Sequence, residues 1–200
     1  EGMPPSRVRT LDPTREPRLA FGTCRTTGSH DEEGNRAHGV DALRSFAIAL
    51  RDDPATDWPD LLLLLGDQVY ADTAPHPELE EFMAARRDLS LPPGDEIKDF
   101  VEYAELYRLA WSDDVVRWVL STVPSARMID DHDILDDRNT SWSWRREIRA
   151  TTWWQERIVS GLGAYWVHQH IGNLSPAELA DEEVWRHVSA HAASGEPGEL

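Results

Sequence analysis

The sequence has few of the features that mark disulfide-stabilised, membrane-spanning or nucleic-acid-binding proteins. Its one cysteine, Cys24, excludes an internal disulfide. No apolar run approaches the roughly 18 residues that a membrane-spanning helix needs, and the first ten residues contain no apolar leader, which favours a cytoplasmic location. The chain has 20 basic and 37 acidic residues. The resulting formal charge of −17 argues against general electrostatic binding to nucleic acid.

The apolar content is sufficient for one sizeable domain. Hydrophobic residues make up 40% of the 200 positions, and a chain of this length is expected to form one domain or a little more. Residues 1–17 are rich in proline and arginine and lack periodicity, so we predict an irregular lead-in there. Residues 18–200 are predicted to form the domain. The closing stretch 192–200 has the composition of a linker, and we expect the chain to be the amino-terminal part of a longer protein.

Periodic patterns predict an α/β fold. Three apolar runs predict parallel β-strands, at Leu19–Thr23, Leu61–Leu65 and Ser125–Ile129. Apolar residues at helical spacing from Val40 to Leu50 predict a crossover helix that joins the first two strands. The five consecutive leucines of the second run are typical of a strand covered on both faces. Further helices are predicted at 77–87, 96–111, 113–122, 142–170 and 175–191, the first three as an insertion before the third strand.

Residues that bind metal ions follow each predicted strand. Cys24 follows the first strand, Asp67, Tyr70 and Asp72 follow the second, and an acidic run that contains His132 follows the third. In an open parallel sheet, ligands collect at the carboxyl ends of the strands, so we expect these side chains to meet there. The set suggests a metal-dependent hydrolase.

The residue types indicate which ions such a site would hold. Gly66 allows a tight turn that projects the carboxylate of Asp67, and the phenolate of Tyr70 is a hard ligand suited to ferric iron. The thiolate of Cys24 favours iron or zinc over magnesium alone. Five carboxylates lie between residues 130 and 137, and a bound cation would relieve the repulsion of those that are buried together. His132 could bind metal, orient phosphate or donate a proton to the leaving group.

Each of these residues also has an ordinary structural interpretation. A single cysteine after a strand is more often a small buried hydrophobe, a tyrosine a packed aromatic, and an acidic loop a solvated turn. The tryptophans between residues 142 and 166 are predicted to lie in the core, and the histidines other than His132 to serve in packing or at the surface. The joint occurrence at three strand ends favours the metal site. The alternative is a non-catalytic or truncated acidic module that binds a partner.

The three motifs together resemble the PhoD-like (alkaline phosphatase D) metallophosphatases, a branch of the calcineurin-like phosphoesterases. The resemblance is carried by three segments: Phe21-Gly22-Thr23-Cys24-Arg25, Gly66-Asp67-Gln68-Val69-Tyr70-Ala71-Asp72, and Asp130-Asp131-His132-Asp133 with Asp136-Asp137. It extends loosely through Trp166 to Leu179. It implies a partial calcineurin-like sheet. It also implies that Cys24, Asp67 and Tyr70 hold iron and that Asp67 bridges to a second site. There, Asp131 and Asp137 would hold calcium or another divalent ion.

The same resemblance implies a reaction. The substrate would be a phosphoric monoester or diester, hydrolysed at a dinuclear site with a metal-bound hydroxide as the nucleophile. His132 would lie beside the phosphate, and Arg25 would give it a forked contact. Further ligands in this superfamily come from a Gly-His-x-His motif in the carboxy-terminal half. His168 and His170 do not match it, because they lie in a predicted helix with no glycine directly before them. The sequence therefore predicts that half of the site is absent.

Overall fold

The fold is built on a parallel sheet of three short strands. The computed structural model describes residues 2–7, 9–73, 76–138 and 140–194. Strands β1 (Leu19–Gly22), β2 (Leu61–Leu65) and β3 (Ser125–Met128) lie in the order β1-β2-β3. Both pairs are parallel, with Leu19 opposite Leu61 and Leu62 opposite Ser125. The predicted α/β class with parallel strands is confirmed.

Nine α-helices surround or follow the sheet within the described residues. They are α1 (Glu32–His38), α2 (Ala42–Asp52), α3 (Pro77–Ala84), α4 (Phe100–Trp111), α5 (Asp114–Thr122), α6 (Trp142–Arg149), α7 (Trp154–His168), α8 (Pro176–Asp181) and α9 (Glu183–Ser194). A 3-10 helix (His170–Asn173) follows α7. The helical insertion between β2 and β3 is present as predicted.

Two apolar cores hold these elements together. One lies under the sheet against α2 and α5 and consists of Ala47, Leu50, Trp58, Leu62, Leu64, Trp118, Val119 and Val123. The other joins α3, α4 and α7, with buried residues that include Leu79, Met83, Tyr103, Leu106 and Ala164. The second core fixes the insertion and α7 beside the loops that follow β2 and β3.

The covering of the sheet differs from our prediction. We expected β2 to be covered on both faces, but α2 and α5 pack on the same side, against Leu62 and Leu64. On the opposite face, Phe21 is 75% exposed and Met128 is 50% exposed. Within the described residues, the sheet is therefore covered on one face only.

Several helix boundaries also differ from those predicted, and capping side chains explain two of them. The crossover helix begins at Ala42 because the Asp41 side chain accepts a hydrogen bond from Arg44 N. Helix α4 begins at Phe100, later than the predicted residue 96, because Asp99 caps Glu102 N in the same way. The exposed helix α1 was not predicted.

The two long carboxy-terminal helices that we predicted are each divided. The stretch 142–170 forms α6 and α7, separated at residues 150–153, where Ala150 N and Thr151 N bond to carbonyls three residues back. The final helix is divided at Glu182, whose backbone is extended. The tryptophans also differ from the prediction, because Trp154 is buried but Trp142 is 76% exposed.

The lead-in, residues 1–17, is attached to the rest of the domain by ion pairs. Its described residues form neither helix nor strand. Arg9 and Arg15 both pair with the buried carboxylate of Asp60, which also accepts a hydrogen bond from Arg18 N at 2.9 Å. Residues 195–200, part of the predicted linker, lie outside the described residues.

None of the helices in the described residues combines the length and the apolar character needed to cross a membrane.

Candidate metal centre

The loops that follow the three strands are joined by backbone hydrogen bonds. Cys24 N donates to Gly66 O at 3.3 Å, and Arg25 N donates to Asp67 O at 2.9 Å, which extends the β1–β2 ladder into the loops. Ala71 N donates to His132 O at 2.9 Å and so connects the second loop to the third. The predicted site residues are therefore held on one connected backbone framework.

The backbone is strained at three of the predicted ligands. Cys24, Asp67 and Asp137 have φ angles of 57°, 49° and 54°, and among the described residues they are the only ones other than glycine in the left-handed region. Gly66 lies beside them with φ 101°, and a Cβ there would come within 2.4 Å of Asp130 Cβ. Such conformations cost free energy and persist where the surrounding structure enforces them, often at functional sites.

The side chains of the first two loops lie close together. Cys24 Sγ is 3.4 Å from Asp67 Oδ2, and Asp67 Oδ1 accepts a hydrogen bond from His132 N at 3.2 Å. The ring of Tyr70 stacks on the ring of His132, with centroids 4.4 Å apart and planes at 27°. The structure thus brings Cys24, Asp67, Tyr70 and His132 together at one end of the sheet.

Among the described residues, two overlapping groups of side chains could hold a metal ion. Asp67, Asp131 and His132 form one group and Asp131, Asp136 and Asp137 the other, each with ligand atoms within 4.8 Å of one another. Asp137 N also donates to Asp131 Oδ2 at 2.8 Å. Asp131 is common to both groups, whereas the family resemblance gives the bridging position to Asp67.

The electrostatics of this region fit bound cations. Burial raises the pKa of Asp67, and the neighbouring charges of Asp130 and Asp131 raise it further. Burial, followed by the negative charges of Asp67 and Cys24, raises the pKa of Tyr70 to about 12. A cation would offset each of these costs. Thiolate, phenolate and carboxylate donors together match iron with a second, harder divalent ion, so the residues present fit the metals that the resemblance implies.

His132 is oriented by a residue that we did not assign from the sequence. Its Nδ1 donates to Asp72 Oδ2 at 2.6 Å, and the same oxygen accepts a hydrogen bond from Asp136 N at 2.8 Å. Partial burial lowers the pKa of His132, but the hydrogen bond and negative charge of Asp72 outweigh it and raise the pKa. The other oxygen, Asp72 Oδ1, is buried and accepts no hydrogen bond from the described residues.

The carboxylate of Asp133 connects the loop that follows β2 with the loop that follows β3. Its carboxylate accepts hydrogen bonds from Asp67 N at 3.1 Å, Asp130 N at 3.0 Å and Val69 N at 3.4 Å. Gln169 Nε2 adds a fourth at 3.2 Å. Burial raises the pKa of Asp133 to about 6. Because Asp133 is engaged by backbone amides on both loops, its role here is to position Asp67 and the acidic run.

Arg25 does not occupy the position that we predicted for it. Its Nε and Nη2 donate to Asp41 Oδ2 at 3.0 and 2.8 Å, and its Nη1 donates to Ala110 O at 2.9 Å. Both partners of this ion pair are buried, with side-chain exposures of 7% and 5%. The guanidinium therefore fastens the Cys24 loop to α2 and α4, and we no longer include it among the catalytic residues.

The histidines near the end of α7 contribute to packing. His168 Nδ1 donates to Ala164 O at 2.9 Å, and its ring stacks on Tyr107 with centroids 4.3 Å apart. Gln169, between His168 and His170, is the residue that reaches the site loops through Asp133.

Three residues of the site had no predicted role: Asp72 and Asp136, which lie in the quoted motifs, and Gln169, which lies in the looser stretch Trp166 to Leu179.

Comparison with known proteins gives a family and one structural likeness. A family model described as PhoD-like phosphatase matches residues 46–191. No curated protein matches the chain. A solved structure described as "Structure of PhoD" matches with 15% sequence identity and a TM-score of 0.45, over 87% of this chain and 28% of that one. The chain thus spans less than a third of the length of that structure.

Proposed function

This chain belongs to the PhoD-like phosphatase family, and we propose that its site hydrolyses phosphoric esters, either monoesters or diesters, with the help of two metal ions. The observation that carries the proposal is the convergence of Cys24, Asp67, Tyr70 and Asp131 at the carboxyl end of a parallel sheet. A calcineurin-like arrangement of the complete domain is part of the same proposal.

The ligands would divide between two metal ions. Cys24, Asp67 and Tyr70 would hold iron, and Asp131 with Asp136 and Asp137 would hold calcium or another divalent ion. The chemistry that such ions supply when bound is Lewis acidity toward the phosphoryl oxygens and activation of water. The acidic side chains alone would repel a phosphate ester, so substrate binding at this point depends on their being neutralised.

His132 is suited to act on the leaving group. Asp72 holds Nδ1 through a 2.6 Å hydrogen bond, and stacking on Tyr70 fixes the plane of the ring. The opposite ring nitrogen, Nε2, lies 3.6 Å from Asp136 Oδ1, too far for a hydrogen bond, and its proton would be given to the departing alcohol oxygen. An alcohol leaves more readily than an alkoxide, so a proton delivered from this atom lowers the barrier.

The hydrolysis is tested by measuring turnover of an aryl phosphate and a diaryl phosphate with iron and calcium present. In the longer protein that the sequence leads us to expect, Asp67→Asn should lower kcat/KM at least about 100-fold, because a shared metal ligand is removed. Asp52→Asn is the matched control, since Asp52 is an exposed aspartate at the end of α2. Metal content is measured on the same samples.

Absence of turnover together with absence of stoichiometric metal would contradict the proposal. It would support the alternative of a non-catalytic acidic module, for which Asp67→Asn should leave partner binding intact. Equal activity of the Asp67→Asn and Asp52→Asn variants would also be inconsistent with the assigned site.

A further inference from the structure

The region that follows the acidic run carries the opposite charge to the rest of the chain. Between residues 138 and 155 there are four arginines, at 138, 145, 146 and 149, and one acidic residue, Glu147. Four positive charges and one negative charge give this segment a net charge of +3, in a chain whose net charge is −17. The segment also contains four of the nine tryptophans. Such a local reversal of charge is a reason to look for an anionic ligand there.

A cavity lies between α6 and α7 in this segment. Its volume is about 550 Å³, within the range of cavities that bind small organic molecules. Three of the four arginines line it, Arg138, Arg145 and Arg149, while Arg146 does not. The remaining lining is mostly apolar and comes from both helices: Trp144, Ile148, Trp154, Gln155, Ile158 and Leu162.

The aromatic wall of this cavity is fixed in place. Trp154 is buried and packs edge-on against Trp144, with ring centroids 5.6 Å apart and planes at 89°. Trp153 also packs against Trp154, and the Cζ of the buried Arg157 lies 5.6 Å from the Trp153 ring. A wall held in this way can receive a flat or apolar group without losing much conformational entropy on binding.

The cavity adjoins the candidate metal centre along the chain. Arg138 directly follows Asp137, a member of the second acidic group. Arg138 N donates to Leu135 O at 3.1 Å and Thr140 N donates to Asp137 O at 3.2 Å, so the turn that presents Asp137 also presents Arg138. The acidic groups and the arginine-lined cavity are therefore connected through one turn of the backbone.

We propose that this cavity binds a second anionic group of the substrate, a phosphate or a carboxylate, carried on an apolar or aromatic body. The inference rests on the proposed hydrolysis, because it assigns the cavity to the alcohol portion of the ester. Guanidinium groups form forked hydrogen bonds with phosphate and carboxylate oxygens. The indoles of Trp144 and Trp154 would contact the body of the ligand. The substrate would thus carry one anionic group at the metals and another at the arginines.

The test measures binding in the absence of metal, so that it does not depend on turnover. Chelator-treated protein is titrated with phenyl phosphate, and the tryptophan fluorescence is followed because Trp144 and Trp154 line the cavity. Without metal, the acidic groups repel this probe. We expect saturable binding that weakens about tenfold or more in Arg149→Gln, as loss of a charge-assisted hydrogen bond predicts. Arg146→Gln removes the same charge from the same helix outside the cavity and should change the Kd less than about twofold.

Three results would overturn the inference: no saturable change in fluorescence, equal weakening in Arg149→Gln and Arg146→Gln, or equally tight binding of uncharged phenol. Urea unfolding of each variant establishes that it is folded. If aryl phosphates are hydrolysed but this titration shows no binding, the second anionic site is wrong and the hydrolase stands. If the titration succeeds and no phosphate ester is hydrolysed, the assignment of the cavity to a substrate is wrong.

Discussion

At the scale of single residues, strained backbone conformations and the hydrogen bonds that stabilise them lie together at the carboxyl end of the sheet. Cys24, Asp67 and Asp137 adopt left-handed backbone conformations, and the carboxylate of Asp133 accepts hydrogen bonds from the amides of Asp67 and Asp130. The free energy stored in these conformations has to be offset by the surrounding contacts. Asp133 is therefore as important to the geometry of the site as the residues that would touch metal.

Asp72→Asn tests the orientation of His132. The amide can still accept a hydrogen bond, but it lacks the negative charge that stabilises the protonated ring, so we expect kcat for an aryl phosphate to fall about 100-fold. The free energy of unfolding should change little by comparison. Asp52→Asn again serves as the control. Turnover that is unaffected by Asp72→Asn would show that His132 is not oriented by this carboxylate during the reaction.

The residues found from the sequence and those missed differ in how their contacts are made. Cys24, Asp67, Tyr70 and Asp131 follow strands directly, so their position could be predicted from the rule for parallel sheets. The contact of Gln169 with Asp133 joins residues 36 positions apart, and it depends on how α7 packs. Arg25 was assigned by its nearness to Cys24 along the chain, but its side chain turns toward Asp41.

At the scale of elements, the position of α7 depends on a close approach at one glycine. A Cβ on Gly161 would lie 2.4 Å from Ile134 Cδ1 and 2.7 Å from Tyr103 Oη. We expect Gly161→Ala to reduce the free energy of unfolding by about 1–3 kcal/mol through overpacking, measured by urea denaturation. Because Ile134 is next to Asp133, metal affinity should fall as well.

Gly163→Ala is the control on the same helix. The nearest atom to its added Cβ is 3.8 Å away, so the gain in helix propensity should stabilise the protein by about 0.5–1 kcal/mol. Equal effects of the two alanine substitutions would contradict the packing described for α7.

The attachment of the lead-in should depend on pH. The hydrogen bonds of Asp60 with Arg15 and with Arg18 N lower the pKa of Asp60 to about 2, below its value of about 3.9 in an unfolded chain. The ionised carboxylate therefore stabilises the fold above pH 4, and this contribution is lost as the pH falls toward 2. The urea midpoint of wild type should exceed that of Asp60→Asn at pH 7 by a difference that is constant down to about pH 5. A difference in urea midpoint that grows as the pH falls below 5 would contradict the lowered pKa of Asp60.

The existence of most elements could be predicted, and their ends could not. Apolar periodicity located all three strands and the insertion helices. The starts of α2 and α4 are set by the capping aspartates Asp41 and Asp99, which compete with other polar residues in the sequence for that role. Helix α1 has no buried residue, so it leaves no apolar pattern to detect.

At the scale of the whole molecule, the uncovered sheet face matters most. Parallel sheets are almost always buried on both faces, and here Leu19, Phe21, Leu65 and Met128 are exposed on one face. The five-leucine pattern is typical of a strand covered on both faces, whereas within the described residues this face stays open. The leucine pattern predicted cover on both faces, and within the described residues that prediction is wrong for the face that carries Leu65.

We expect this face to drive self-association of the chain at high concentration. Sedimentation velocity should show less association in the double variant Phe21→Gln with Met128→Gln. Val184→Gln removes another exposed apolar side chain, on α9, and should leave association unchanged. An equal reduction in the two cases would indicate general rather than face-specific association.

The most direct test of the account is X-ray absorption spectroscopy of the iron-loaded protein. If Cys24, Asp67 and Tyr70 hold the iron, wild type should show a sulfur atom bonded to iron. Because Cys24 is the one cysteine of the chain, Cys24→Ser should lose that contribution. Iron that is bound with oxygen and nitrogen ligands alone in wild type, with a spectrum unchanged by Cys24→Ser and Tyr70→Phe, would contradict the convergence on which the proposed function depends.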